Sequence, residues 1–355
     1  MTKDLELLAM LVHRGLVDEA SARAAMQSGD PGVWLVQNRR CTQAQWDEWR
    51  GTSAGTRPQL ARYEISELLG EGGTARVFRA TDRTDASKVA LKVLRAELGK
   101  DKAQVETFVK EAKLLMDLQH PQIVRGLRVA REGETFFFAM EELPGVCLQD
   151  HLREHGRLDE EDALEITADI ASALAALHAR SLVHRDVKPG NVLWSPERGA
   201  VLIDLGFAVG GGAGAVRSET TAGTVHYIAP EQARGSAELD VRADIYALGA
   251  TLFHLVTGSL PFEGGDNDDV LRKQVLESLS GERIRALALS PQVHYFIEKM
   301  MAKEREIRFQ DPLQLEKDVR AWLESRRVQR ELEEQSERQK PRLAGGSLRR
   351  RRRRL

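Results

Sequence analysis

Eight residues, His184-Arg-Asp-Val-Lys-Pro-Gly-Asn191, bring a carboxylate (Asp186), an ammonium (Lys188) and an amide (Asn191) within six positions of one another. If the backbone loops there, the three groups converge on one point. Phosphoryl transfer from a nucleotide needs such a set: a carboxylate to orient a hydroxyl, cations to hold phosphate oxygens, and oxygen ligands for magnesium. A second carboxylate, Asp204, ends the apolar run Ala200-Val-Leu-Ile and is followed by Leu205-Gly206, a position that suits a magnesium ligand. One short segment of this kind arises by chance, so its weight rests on partners elsewhere in the chain.

Such partners are present upstream. Gly70-Glu-Gly72-Gly73-Thr-Ala-Arg-Val77 is a glycine-rich turn between two strand-like runs. Glycines let the backbone approach phosphates and aim N–H groups at them with no side chain in the way. A dinucleotide fold would require a helix straight afterwards, whereas a strand pattern follows here. Next, Val89-Ala90-Leu-Lys92-Val-Leu94 is an apolar strand with one lysine in its middle, costly to desolvate unless paired. The candidate partner is Glu111, on the helical run Val105, Phe108, Val109, Ala112, Leu115; the blander reading is a snorkelling lysine and an exposed glutamate. The apolar strand Phe136–Met140 then leads to Glu141 and Leu143, whose backbone groups suit an adenine edge. Asp150 either reaches a ribose hydroxyl or supplies N-terminal helix charge.

The elements that must position these groups follow from periodicity. Ala163, Ile166, Ile170, Leu174 and Leu177 step by 3 and 4, which predicts a buried helix delivering the chain to His184. Val192-Leu-Trp and Val201-Leu-Ile predict short strands. Residues 207–223 are rich in Gly, Ala, Ser and Thr, and precede Thr224-Val-His-Tyr-Ile-Ala-Pro-Glu231 and a further apolar helix opening at Asp244.

At 355 residues, 42% hydrophobic and 30% charged, the chain can build two or three compact units with a sizeable core. Its net charge of −2 argues against nucleic-acid binding by the whole molecule. Two distant cysteines, Cys41 and Cys147, form no disulfide or metal framework and suit a reducing cytosol. No apolar run is long enough to span a bilayer, and the N-terminus lacks a secretory pattern. Residues 1–50 suggest a small all-α module with a weak repeat of period 24: Leu11-Val12 recurs as Leu35-Val36, and Asp18 as Thr42, where Gln45 completes a capping box. Trp34, Trp46 and Trp49 fill its core or, alternatively, serve docking. Residues 51–62 form a linker. Residues 326–355 form a charged helix extension and a tail ending in Arg349–Arg354, suited to an acidic partner, RNA or anionic lipid.

In order and separation these motifs resemble the protein kinase catalytic domain over residues 63–325, and most closely the bacterial eukaryotic-like (Hanks-type) Ser/Thr kinases. The resemblance implies an α+β, bilobal fold with a β-rich N-lobe and a helical C-lobe. It implies ATP with Mg2+, or Mn2+, as the cofactor set. Gly70, Gly72 and Gly73 would cover the phosphates, Leu69, Val77 and Ala90 would line the adenine pocket, Met140 would be the gatekeeper, and Glu141 and Leu143 the hinge. Lys92 would hold the α- and β-phosphates and pair with Glu111. Asp186 would be the base or hydroxyl orienter, Lys188 would neutralise the γ-phosphate and mark Ser/Thr specificity, and Asn191 and Asp204 would ligate the metal. Thr224 would brace Asp186, Glu231 would pair with Arg308, and Asp244 would tie down the His184 loop. Arg185 favours a phosphorylated counter-charge, for which Ser218, Thr220 and Thr221 are candidates, through a transient dimer.

Four positions depart from the pattern: Ala75 replaces the third glycine, Thr74 stands at the loop tip in place of an aromatic, Leu205 stands where Phe is usual, and Phe309 where Pro is frequent. None removes a charged group. The expected function is therefore phosphorylation of protein Ser/Thr residues; the rival is an inactive pseudokinase scaffold using the N-terminal module and the basic tail.

Overall fold

The structure is a computed structural model, and it describes residues 7–8, 11–12, 15–43, 45–46, 58–206, 208–210, 224–236, 238–279 and 289–339. Ser218, Thr220, Thr221, Trp49 and Arg349–Arg354 lie outside these. The chain divides into two compact units, residues 1–67 with 80–87, and residues 68–79 with 88–355.

The first unit holds the N-terminal module. Helices α1 (Glu19–Gln27) and α2 (Pro31–Gln37) are each capped by an aspartate: Asp18 accepts from the Ser21 N–H, and Asp30 from the Gly32 and Val33 N–H groups. The 24-residue repeat extends to backbone detail. Leu16 N–H donates to Leu11 C=O, and 24 positions on Arg40 N–H donates to Leu35 C=O, both at 2.9 Å. Gly15 and Arg39, the matching turn residues, both have left-handed backbone, φ 65° and 54°. The capping box also forms: Thr42 N–H donates to Gln45 Oε1 at 2.8 Å and Gln45 N–H to Thr42 Oγ1 at 3.2 Å. Leu11, Leu35 and Trp46 are buried in one small core.

A five-stranded sheet follows, in the order β1-β2-β3-β5-β4. Its strands are β1 (Tyr63–Glu71), β2 (Ala75–Asp82), β3 (Lys88–Leu94), β4 (Gly126–Glu132) and β5 (Thr135–Glu141). Helix α3 (Lys102–Asp117), started by the Asp101 carboxylate on two N–H groups, buries Phe108, Glu111, Ala112 and Leu115. Beyond the sheet the chain is mainly helical. After β6 (Val146–Cys147) come α4 (Leu148–His155) and α5 (Glu160–His178), then the short strands β7 (Leu182–Val183), β8 (Val192–Ser195), β9 (Gly199–Leu202) and β10 (Val209–Gly210). Helices α6 (Pro230–Ala233), α7 (Val241–Thr257), α8 (Asn267–Leu276), α9 (Pro291–Met300) and α10 (Pro312–Gln339) complete the order. This is the expected α+β arrangement, strand-rich then helical, preceded by helices. Helix α7 is buried nearly all round, as its uniformly apolar sequence requires. A Cβ at its Gly249 would lie 2.7 Å from Met300 Cβ, so glycine is what allows α7 and α9 to approach. Among the described residues, no helix is long and apolar enough to cross a membrane.

One buried ion pair anchors the helical part. Arg308, 2% exposed, donates to both Glu231 carboxylate oxygens at 2.6 and 2.9 Å. Its remaining N–H groups reach the carbonyls of Ala302, Arg242 and Lys303, so all five donors are satisfied. Arg308→Met strands a buried carboxylate and should lower stability by about 3–5 kcal/mol. Arg308→Lys, which cannot reproduce the fork, should recover only part of that loss in urea unfolding.

Candidate active site

The site is assembled from four segments of the second unit. Strand β3 supplies Lys92. Burial on an apolar strand demands compensation for its charge, and two carboxylates provide it: Nζ lies 2.5 Å from Glu111 Oε1 and 3.1 Å from Asp204 Oδ2. Burial alone would depress the Lys92 pKa, but Asp204 and Glu111 together reverse that and raise it above the ordinary lysine value. Glu111 responds the other way. Its burial, reinforced by the neighbouring Asp204 charge, pushes its pKa up to about 7 against the pull of Lys92. For Asp204, burial opposes the charge while Lys92 and the Gly206 N–H outweigh it, so its pKa is lowered. Gly206 packs closely against this cluster: a Cβ there would lie 3.1 Å from Asp204 Oδ1, a tight contact, and 3.4 Å from Glu111 Oε2.

The His184–Asn191 loop supplies a second cluster. Lys188 Nζ lies 2.8 Å from Asp186 Oδ2, and Asn191 Nδ2 donates to the same oxygen at 2.9 Å and to the Asp186 carbonyl at 2.8 Å. The other oxygen, Asp186 Oδ1, is buried with no hydrogen-bond partner among the described residues. His184 joins the two clusters. Its Nδ1 accepts from the Asp186 N–H at 3.2 Å, which fixes the tautomer so that Nε2 donates to the Asp204 carbonyl at 2.7 Å. The loop is also strained, since Arg185 has φ 70°, a left-handed value that is costly for a non-glycine residue. Asp244 holds it there, accepting from the His184 and Arg185 N–H groups at 2.7 and 2.8 Å. Gln232 grips the other side of the same residue, donating to the Arg185 carbonyl at 3.0 Å. Neither the Gln232 contact nor the His184 bridge has a local sequence signal, because each joins segments far apart in the chain.

The glycine turn lies between β1 and β2. None of Gly70, Gly72 and Gly73 has a left-handed φ, so backbone conformation does not demand glycine there. A Cβ at Gly70 or Gly73 would meet no protein atom within 4 Å. Their bare backbone faces open space, as a phosphate cradle requires. Ala90 and Met140 are buried and directly opposed across β3 and β5, with Lys92 two residues on. Val77 and Leu143 are half-buried and Leu69 is exposed. Glu141 is held by its side chain, which accepts from the Arg125 N–H at 2.9 Å. Asp150 lies in the first turn of α4 and pairs with Arg153 at 3.1 Å, in keeping with a helix-charge role. Thr224 opens a short 3₁₀ turn, Thr224–His226. Burial raises the Cys147 thiol pKa, which suits packing rather than reactivity.

Among the described residues no group of three or more His, Cys, Asp or Glu side chains could cage a metal ion. The donors present are oxygens: the Asp204 carboxylate and Asn191 Oδ1, the one acceptor of an amide whose nitrogen is already engaged. Few protein oxygens, with the rest of the coordination left to water and phosphate, is how magnesium binds beside a nucleotide, and the residues fit that ion.

Comparison with known proteins gives a consistent result. The protein kinase domain family matches residues 63–317. The serine/threonine-protein kinase PrkC of Bacillus subtilis (strain 168) is 32% identical over 272 residues, covering 75% of this chain and 41% of that protein. The serine/threonine-protein kinase PknB of Mycobacterium tuberculosis (strain ATCC 25177 / H37Ra) is 34% identical over 265 residues, covering 73% and 42%. A probable serine/threonine-protein kinase PknB of Lactococcus lactis is 34% identical over 264 residues, covering 73% and 41%. The chain thus spans about two fifths of the length of the curated relatives it matches. Motif order, two linked charge clusters and a family match over most of the chain agree, and the chain belongs to the protein kinase family, in its bacterial Hanks-type branch.

Proposed function

We propose that this chain is an active protein kinase that transfers the γ-phosphoryl group of ATP to Ser and Thr hydroxyls of protein substrates. The observation that carries the reading is Asp186: one carboxylate oxygen is held by Lys188 and Asn191, while the other is buried and lacks a protein partner among the described residues. That oxygen accepts a hydrogen bond from the incoming hydroxyl and takes its proton as the new bond to the γ-phosphorus forms and the bond to the bridging oxygen breaks, ADP leaving with that oxygen. Lys188, beside it, neutralises charge on the transferred group. Lys92, fixed by Glu111, holds phosphate oxygens, and the open backbone of Gly70 and Gly73 covers them. Asp204 and Asn191 would hold magnesium, which would supply positive charge to offset that of the phosphates. Ala90, Val77, Leu69 and Met140 line the adenine side, with the Glu141 and Leu143 backbone at its edge.

Several finer readings belong to the same proposal. The two-cysteine composition suits a reducing cytoplasm. At least one of the candidates Ser218, Thr220 and Thr221 is a site of autophosphorylation in trans, and the Arg349–Arg354 block is an electrostatic tether for an acidic partner, RNA or anionic lipid.

The decisive experiment is incubation with labelled ATP and magnesium. Wild type should label a protein substrate and itself, while Asp186→Asn should lose roughly 10²–10⁴ in kcat. A wild type that transfers no label would sink the assignment and leave the scaffold reading. Mapping the label should find Ser218, Thr220 or Thr221, and alanine at all three should reduce activity. Glu111 gives a separate check by pH. The folded protein keeps a Glu111 proton that the unfolded chain releases near 4.5, so this contribution to stability is complete below about pH 4.5 and is lost as pH rises through about 7. In the ligand-free protein, the unfolding temperature of wild type should therefore fall relative to Glu111→Gln between about pH 5 and pH 8.

A further inference from the structure

The glycine turn contains a carboxylate, Glu71, which is a liability beside a triphosphate carrying about four negative charges unless its own charge is taken up. The structure takes it up with two guanidiniums. Glu71 Oε1 accepts from Arg76 Nε at 3.0 Å and from Arg95 Nη2 at 2.9 Å, and the Glu71 side chain is only 8% exposed. One carboxylate oxygen is thus shared by two guanidiniums.

Arg95 does more than pair. Its Nε donates to the Gly72 carbonyl at 3.0 Å, and its backbone N–H donates to the Thr74 carbonyl at 2.9 Å. The turn is itself closed by Gly72 N–H on the Ala75 carbonyl at 2.9 Å. One residue, immediately after β3, therefore grips the turn at Glu71, Gly72 and Thr74. It also lies three positions after Lys92, so the strand that presents the phosphate-binding ammonium carries the clasp on the phosphate-covering turn.

We propose that Arg95 and Glu71 form a tether that sets the glycine turn over the phosphates, making Arg95 a positioning residue for nucleotide binding. This rests on the kinase reading above. The tether pre-organises the turn, so ligands that engage the phosphate cradle benefit from it and a ligand without phosphates does not. Arg76 donates to the same Glu71 oxygen from β2, so the carboxylate that Arg95 holds is also held to the strand after the turn.

The test compares Mg-ATP, Mg-ADP and adenosine binding to the full-length chain by calorimetry, with steady-state kinetics alongside. Arg95→Ala should weaken ATP and ADP binding by roughly 5- to 20-fold, the scale of a single hydrogen bond, while adenosine changes less than about twofold. KM for ATP should rise with kcat changing much less. Arg95→Lys, which reaches one acceptor but cannot fork across two, should restore part of the affinity. In a Glu71→Gln background the Arg95→Ala penalty should shrink, because the two residues are coupled. Equal weakening of ATP and adenosine would reduce Arg95 to a structural residue and overturn the tether, as would unchanged ATP binding. A wild type that binds neither ATP nor adenosine would instead overturn the kinase reading itself.

Discussion

A single ammonium shared by two carboxylates is the constraint on which the site depends. Lys92 sits on an apolar strand where an unpaired charge would be prohibitively costly, so Glu111 and Asp204 must both come to it. Meeting that demand sets the position of α3 against the sheet and brings the chain at Asp204 beneath the same point. One positive charge cannot fully compensate two negative ones, and the more deeply enclosed carboxylate, Glu111, is the one whose pKa rises. The cluster is poised: Asp204 is the member with an exposed face, free to exchange one cation for another.

The second cluster is built on a different principle, strain held by remote groups. Arg185 adopts a backbone conformation that its own side chain disfavours, and the adjoining peptide groups are locked from opposite sides by Asp244 and Gln232. The locking residues come from α7 and α6, elements that contribute nothing to the chemistry directly. Their rigidity is in turn secured by Arg308, which joins Glu231 of α6 to the carbonyls that follow α9. A chain of hydrogen-bonded polar groups thus runs from the packing core to the loop bearing Asp186. It holds the loop backbone in one geometry and leaves Asp186 Oδ1 as the buried acceptor without a protein partner among the described residues.

Much of this was legible in the sequence, and the reason is local. Lys92 stands out because it interrupts an apolar strand, and Glu111 because the helical phase of Phe108, Ala112 and Leu115 turns it inward. The α5 helix, the strand pair at 192–202 and the capping box at Thr42 likewise follow from period and cap chemistry within a few residues. Gln232, the imidazole bridge of His184 and the Arg95 clasp leave no such trace. Each is an ordinary polar residue whose partner is 20 or more positions away, and only the folded topology makes them neighbours. The glycines divide in the same way. Their presence in the turn is obvious, but that they face open space rather than relieve a left-handed backbone is visible only in three dimensions.

Gly206 shows where this leads. Its missing side chain leaves a gap just wide enough for two acidic oxygens to lie alongside the backbone. A single added methyl, with no charge and no hydrogen-bonding capacity, would press on Asp204 Oδ1 at 3.1 Å, a contact that a shift of a few tenths of an ångström in that carboxylate relieves. Any loss from such a substitution would therefore be steric in origin although the group that it moves is charged.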